Sequence, residues 1–71
     1  MTITDHDLVP AHEAHERWPN TFPSRTSARY LLEHRSRNGL SEHEAVVRHK
    51  GRLFFVRQRV DAWIAATVRA A

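Results

Sequence analysis

The stretch that most constrains this fold is residues 23–40, PSRTSARYLLEHRSRNGL, because both of its ends carry a helix signal. Ser24 is suited to cap the start of a helix, since its hydroxyl accepts a free amide of the first turn. At the other end, Asn38-Gly39 supplies the left-handed residue that commonly closes a helix, and Leu40 then folds back onto the last turn. The pattern predicts a single helix between these two signals.

This predicted helix has two different faces when its residues are placed about 100° apart. Ala28, Leu31 and Leu32 fall on one side and form a narrow apolar face. The opposite face is polar and mostly cationic, with Thr26, Arg29, Tyr30, Glu33 and Arg37. We therefore expect the helix to pack through its inner face and to present a basic surface.

The residue pattern changes from helical to extended over residues 45–56, AVVRHKGRLFFV. Two β-branched or aromatic runs flank residues 48–52, and a glycine at a turn between such runs indicates a β-hairpin. A last helix follows, with Trp63 as its expected anchor against Leu31, Leu32 and one of Phe54 or Phe55. Its apolar face is predicted to contain Val60, Trp63, Ile64, Thr67 and Val68, with Arg69 elsewhere on the wheel.

The first part of the chain predicts a short helix after a frayed start at residues 1–6. Asp7 can cap this helix, and Pro10 is tolerated in its first turn, which needs no amide donor. Pro19 ends it, since a proline disfavours helical geometry in the residue before it. The face expected to be apolar holds Ala11, Ala14, His15 and Trp18, and the first core candidates are Trp18 and Phe22.

The chain has 71 residues and no cysteine, so we predict one domain, residues 1–71, that depends on a small, well-filled core. Its charge is uneven. Residues 1–23 hold one arginine against four acidic residues, a net charge of −3, whereas residues 24–71 hold ten Lys or Arg against four acidic residues, a net charge of +6. Arginine suits phosphate and base contacts because guanidinium binds both in bidentate fashion. Composition alone is equally compatible with a solvated basic surface.

The predicted order of elements is helix, turn, helix, hairpin and helix, with cations on the second helix and the hairpin tip. This order indicates a mainly α fold with a small β-hairpin, the winged helix-turn-helix. Since an α-helix fits the major groove and a basic hairpin reaches the backbone or the minor groove, we predict binding to double-stranded DNA. The helix residues expected at the DNA are Ser24, Arg25, Thr26, Arg29, Tyr30 and Arg37, and the hairpin residues are Arg48, His49, Lys50 and Arg52.

Other kinds of chemistry have weaker support. His12 and His15 could share a metal ion, but the zinc-protease arrangement needs HExxH, and this HExH has no clear third ligand, so we predict no metal and no cofactor. We find no nucleophile–base arrangement and no phosphate-binding glycine loop, so we do not expect an enzyme. No apolar run approaches the roughly 20 residues that span a bilayer, and no secretory signal is present. We expect a cytoplasmic, nucleoid-associated protein without membrane contact.

Two segments, FPSRTSARYLLEHRSRNGL and AVVRHKGRLFFVRQRVDAWIAA, together resemble the small excisionase-like DNA-binding proteins of bacterial mobile elements and prophages. The resemblance covers residues 18–66. These proteins have a winged-helix fold related to the DNA-binding part of mercury-resistance regulators. The features that carry the resemblance are the Arg-rich helix ending in Asn38-Gly39-Leu40, the Val46-Val47-Arg48 strand, the Gly51-Arg52-Leu53 turn exit and the Asp61-Ala62-Trp63-Ile64 close.

The resemblance implies a recombination directionality factor, which binds repeated sites beside an attachment site, bends the DNA and directs a tyrosine-type integrase toward excision. It also implies cooperative self-association on DNA, with the second-helix residues reading the groove and residues 48–52 acting as the wing. Some members of this family regulate promoters, so a small transcriptional regulator that uses the same surface is an alternative. A basic protein-interaction module with an acidic partner is a second alternative.

Overall fold

The computed structural model describes residues 2–68, which form four helices and a three-stranded antiparallel sheet. Single turns of 3₁₀ helix at Asp5–Asp7 and Ala11–Glu13 flank the first strand, and the first turn overlaps the segment predicted to fray, residues 1–6. The fold is mixed α and β, rather than mainly α with a small hairpin. In chain order the elements are β1 (Leu8–Pro10), α1 (Ala14–Arg17), α2 (Arg25–Glu33), α3 (Arg35–Asn38), β2 (Val46–His49), β3 (Arg52–Val56) and α4 (Arg57–Thr67).

β3 is the central strand of the sheet, with β2 on one side and β1 on the other. The predicted hairpin is confirmed, since β2 and β3 pair antiparallel with Val46 opposite Phe55. On the other edge Val9 of β1 also lies opposite Phe55. Val9, Phe55 and Val46 thus form a row across the sheet, with Phe55 fully buried and the two valines packed against the core.

The strand β1 occupies the place where the sequence predicted the start of a helix. The prediction that Asp7 caps a helix with Pro10 in its first turn is therefore wrong. The backbone of Pro10 is extended, with φ −57° and ψ 143°, and a proline fits an edge strand because the open side needs no donor. Pairing with β3 outweighs the local capping signal. The predicted inner face survives further along, where Ala14 and Trp18 are buried and His15 is half-buried.

Both end signals of the predicted second helix are confirmed. The Ser24 side chain caps α2 by accepting a hydrogen bond of 3.1 Å from the Ser27 amide. Gly39 adopts the left-handed conformation, with φ +93°, and Leu40 beyond it is fully buried.

The segment between these signals is not one continuous helix, as the sequence predicted. α2 ends at Glu33, His34 leaves helical geometry with φ −103° and ψ 22°, and α3 begins at Arg35. Two side chains take carbonyls near the break. Arg35 Nη1 donates to the Leu32 carbonyl at 2.8 Å, and Asn38 Nδ2 donates to the Leu31 carbonyl at 2.9 Å. These bonds supply partners for carbonyls at the end of α2 and so stabilise the interruption.

Aromatic rings from the α1–α2 connection, from β3 and from α4 form the centre of the core. The Phe22 ring lies 5.1 Å from the Phe55 ring and 6.3 Å from the Trp63 ring, measured between centroids. Trp18 meets Phe22 edge to face at 5.7 Å. The predicted core positions Trp18, Phe22 and Trp63 are confirmed, and Leu31 and Leu32 pack against the same cluster.

The last helix α4 buries Val60 and Trp63, as the sequence predicted. Val68, which was assigned to the same apolar face, instead lies beyond the helix end and is 68% exposed. Arg69 lies outside the described residues. None of the helices in residues 2–68 combines the length and apolar character that crossing a bilayer requires.

The start of the chain is attached to α4 by the buried carboxylate of Asp7. Its Oδ2 accepts a hydrogen bond of 2.9 Å from the Thr4 amide, and its Oδ1 accepts one of 2.6 Å from Gln58 Nε2. Arg57 Nη2 lies 3.7 Å from the same Oδ1. The Thr4 amide lowers the pKa of Asp7 against the opposing effect of burial, and Gln58 and Arg57 lower it further.

We predict that Gly39→Ala destabilises the fold more than Gly51→Ala. Both glycines have positive φ, +93° and +77°, so both substitutions carry a left-handed backbone cost of about 1–2 kcal/mol. A Cβ at Gly39 would also lie 3.2 Å from Trp63 Nε1, whereas one at Gly51 meets nothing within 4 Å. Urea unfolding followed by tryptophan fluorescence measures the difference. Equal losses of unfolding free energy in the two variants would show that Trp63 does not restrict a Cβ at position 39.

We predict that Asp7→Asn reduces the acid sensitivity of the fold. Because the pKa of Asp7 is lower in the folded chain, its stabilisation is complete above the ordinary value of 3.8 and is lost as the pH falls through the folded value. The free energy of unfolding of the wild type should therefore fall more steeply below that pH than that of Asp7→Asn. Asp5→Asn, an exposed change in the same turn, is the control. Parallel pH profiles for all three proteins would contradict this role of Asp7.

Candidate nucleic-acid interface

The exposed stripe of α2 carries four of the residues that the sequence predicted at the DNA. Arg25, Thr26, Arg29 and Tyr30 are all exposed, while Ala28 on the same helix is buried in the core. Tyr30 is 61% exposed. Packing of Ala28 against the core therefore orients the stripe outward.

Ser24 has a structural task in addition to its predicted place at the interface. Its Oγ accepts the Ser27 amide and lies 3.3 Å from the Ser27 hydroxyl, so the two serines largely satisfy each other. The amides of Arg25 and Thr26 belong to the first turn of α2, where a helix has no partners of its own for them. Ser24 is exposed. The α2 start thus offers amide donors at the surface, next to a cation.

Arg37 is exposed, but it does not continue the stripe as the sequence predicted. It belongs to α3, and the break at His34 separates it from the four residues on α2. The ring of His34, at the break, packs on the exposed ring of Tyr30, with 4.3 Å between their centroids. Arg37 is therefore a separate cation beyond the end of α2.

The hairpin tip brings together the four predicted residues of the second region. Lys50 and Gly51 form a two-residue turn with φ +51° and +77°, and positive φ at both positions matches a type I′ turn. His49 lies opposite Arg52 in the register, and Arg48 lies opposite Leu53. Since side chains alternate along a strand, Arg48 projects from one face of the hairpin and the His49–Arg52 pair from the other. All four predicted residues are exposed.

Apart from Arg29 and from Arg17, whose guanidinium lies 5.7 Å from the Trp18 ring, the cations of residues 2–68 fall into two groups by what they contact. Arg35 donates to the Leu32 carbonyl, Arg57 lies beside Asp7, and Arg59 donates to the Glu44 carbonyl at 3.1 Å. These three hold parts of the fold together. Within residues 2–68, no ion pair or side-chain hydrogen bond involves the other group, Arg25, Arg37, Arg48, Lys50 and Arg52.

Arg29 belongs to neither group, because its only partner within residues 2–68 is an exposed carboxylate. Its Nε is 3.3 Å from a carboxylate oxygen of Glu33, one turn further along α2. The two side chains are 82% and 60% exposed, and such a surface pair contributes little to stability. The pair orients the guanidinium along the stripe without removing it from solvent.

A shallow groove of about 400 Å³ runs beside the α2 stripe. Thr21 and Pro23 form one wall, and α2 forms the other with Thr26, Ser27, Tyr30 and Leu31. The sequence prediction included Thr26 and Tyr30 but not the groove itself. The i, i+4 spacing of Thr26 and Tyr30 signals a shared helix side, whereas no local pattern brings Thr21 next to them.

The two parts of the interface are built on different elements and do not bond to each other. No hydrogen bond or ion pair in the described part of the chain links the α2 residues with the hairpin residues. The histidines of residues 12–16 lie elsewhere, on the first helical segment. In residues 2–68 no three His, Asp or Glu side chains come close enough together to hold a metal ion.

Comparisons with protein-family models, with curated proteins and with solved structures found no match for this chain. The likeness to excisionase-like proteins therefore rests on the sequence features described above. What the chain does has to be inferred from the geometry and electrostatics of its own residues.

Proposed function

We propose that this chain is a sequence-specific double-stranded DNA-binding protein with a winged helix-turn-helix fold. In this proposal α2 enters the major groove and the β2–β3 hairpin contacts the backbone beside it. The observation that carries the proposal is the division of the cations. Arg35, Arg57 and Arg59, which stabilise the fold, have intramolecular partners. The cations of the α2 stripe, Arg37 of α3 and the cations of the hairpin tip have none within the described residues, apart from Arg29 with Glu33.

The chemistry of DNA fits these unpaired cations. Each phosphate carries a negative charge, and neutralising it with Lys or Arg releases condensed counterions, which provides most of the sequence-independent affinity. A guanidinium can additionally donate two hydrogen bonds side by side to a phosphate or to a guanine edge. Two separate cationic regions give a two-point contact, which a single basic helix does not provide.

The order of the elements also supports the proposal. α1 and α2 are joined by a short loop, the hairpin follows α3, and α4 closes the core through Trp63. A helix is the element that fits the major groove, and a type I′ hairpin is narrow enough to follow the backbone or to enter the minor groove. The additional strand β1 pairs with β3 of the hairpin and so anchors the hairpin base to the body.

The contacts of α2 suggest a division of labour. The amides at the α2 start and Arg25 are suited to hold a phosphate, because a helix N-terminus carries partial positive charge. Thr26, Arg29 and Tyr30 follow along the outward stripe and are the candidates for base contacts. Arg29 is oriented by Glu33, which limits the directions from which its guanidinium approaches a base.

The excision role rests on the family resemblance. It implies that several copies bind adjacent repeats, bend the attachment-site DNA and recruit a tyrosine-type integrase. Bending a site costs a few kcal/mol, which additional protein contacts can offset. A promoter regulator would use the same surface, so the two roles differ in partner and not in DNA chemistry.

We predict that Arg29→Ala and Lys50→Asn weaken DNA binding in different ways. Loss of a base contact at Arg29 should cost about 1–3 kcal/mol at one base position and relax specificity there, while loss of a phosphate contact at Lys50 should weaken all sequences alike and lower the salt slope by about 1. Fluorescence anisotropy over a salt series with single-base variants of the site measures both effects. If the two variants behave identically, the assignment of reader and wing is wrong.

Lys50→Asn has the further advantage that it cannot weaken binding by damaging the turn. Asparagine adopts positive φ more readily than lysine does, so this change should stabilise the hairpin. Arg17→Ala is the matched control, because Arg17 belongs to α1, with its guanidinium 5.7 Å from the Trp18 ring, and to neither cationic region. A loss of affinity in Arg17→Ala as large as in Lys50→Asn would show that the DNA does not bind through the assigned surface.

An excision assay separates the directionality factor from the regulator. The purified chain is added to a tyrosine-type integrase and to a supercoiled substrate that carries the attachment sites of that integrase. We expect excision product to appear only when the chain is present and to be lost with Lys50→Asn. DNA binding without any change in the excision product would favour the promoter regulator.

A further inference from the structure

We infer that the groove beside α2 is a thymine-reading site, which takes the methyl-bearing edge of a thymine in the major groove. This inference rests on the proposed DNA binding and names the base that the site selects. It starts from the groove of about 400 Å³ lined by Thr21, Pro23, Thr26, Ser27, Tyr30 and Leu31.

The lining of the groove is mostly apolar, although it lies within the most cationic part of α2. Its lining residues include Pro23, Tyr30, Leu31 and the two threonines, whose side chains are apolar or carry a methyl group. The hydroxyls of Ser24 and Ser27 face each other at 3.3 Å, and Ser24 also accepts the Ser27 amide, so this pair is engaged within the helix cap. The groove therefore favours an apolar group over a polar one.

The charge around the groove identifies the class of molecule that brings this apolar group. Arg25 and Arg29 lie on the same exposed stripe as Thr26 and Tyr30, which line the groove. A polyanion therefore suits the cationic stripe, and an apolar group suits the groove beside it. In the major groove of DNA, the C5-methyl of thymine is the apolar group that base edges present, and threonine methyls contact it readily.

The groove also offers a hydrogen-bond donor for the oxygen that lies beside the thymine methyl. Thymine presents its O4 as an acceptor beside the methyl. The Thr26 hydroxyl makes no hydrogen bond to any of the described residues and lies at the groove wall, so it is available to donate. The Tyr30 ring also packs on the His34 ring, with 4.3 Å between their centroids. Thr26 and Tyr30 thus become specificity-determining residues for one thymine.

The test replaces thymine by deoxyuridine, which lacks only the methyl group. A duplex is first selected by the wild-type chain from a random library, and each thymine is then replaced in turn. We expect about a fourfold loss of affinity at one position, which corresponds to removal of one buried methyl group, about 0.8 kcal/mol. Uracil tolerated at every position, while the selected duplex binds specifically, would overturn the thymine site and leave the proposed function intact.

Variants of the protein then locate the methyl group. Tyr30→Ala and Thr26→Ser should bind the thymine and uracil duplexes with similar affinity, because the partner of the methyl is gone. Arg48→Ala, on the hairpin, is the matched control and should keep the fourfold difference while binding both duplexes more weakly. If the difference persists in both groove variants, the methyl is read elsewhere and the inference is wrong. A chain that binds no duplex would overturn the inference together with the proposed function.

An apolar side chain of a protein partner is the competing occupant. It predicts that Tyr30→Ala leaves DNA affinity and the uracil difference unchanged. That result would overturn the thymine assignment, whatever partner the groove takes instead.

Discussion

The hydrogen bond of 2.7 Å from Trp63 Nε1 to the Asn38 carbonyl is the contact on which the arrangement of this chain depends. It joins the end of α3 to the middle of α4, and Gly39 allows the close approach because it has no Cβ. The Asn38 side chain also donates to the Leu31 carbonyl and accepts from the Leu40 amide. One residue therefore fixes the end of α2, the exit from α3 and the position of α4.

A second tryptophan, Trp18, attaches the α1–α2 connection to α4 through another hydrogen bond. Trp18 Nε1 donates to Asp61 on α4 at 3.0 Å while its ring packs edge to face on Phe22. Both indole rings thus lie in the core with their N–H groups satisfied, as buried tryptophans require. α2 is held between these two attachments, and Ala28 is its buried contact. The proposed base contacts would need such support, since a residue that shifts by about 1 Å loses its hydrogen-bond partner.

The sequence was sufficient for features with a local cause and insufficient for features that depend on distant pairing. The Ser24 cap, the left-handed Gly39 and the Lys50-Gly51 turn are all specified by a few neighbouring residues. β1 was not predictable in this way, because its pairing partner Phe55 lies far along the chain. The same limit holds for the candidate site. Sequence identified which residues are exposed, but an arginine that bonds within the fold, such as Arg59, has the same sequence signal as one that is free.

The energetic consequence of the unpaired cations supports a role outside the fold. Like charges on one small body repel one another, and within residues 2–68 no acidic side chain pairs with any of the five. A polyanion that binds the folded surface more tightly than the unfolded chain offsets this repulsion and stabilises the folded state. Salt then has opposite effects on the two forms, because it screens repulsion in the free chain and weakens the DNA complex through counterion release. These cations have no acidic partner within the described fold, and the proposed DNA binding would supply one.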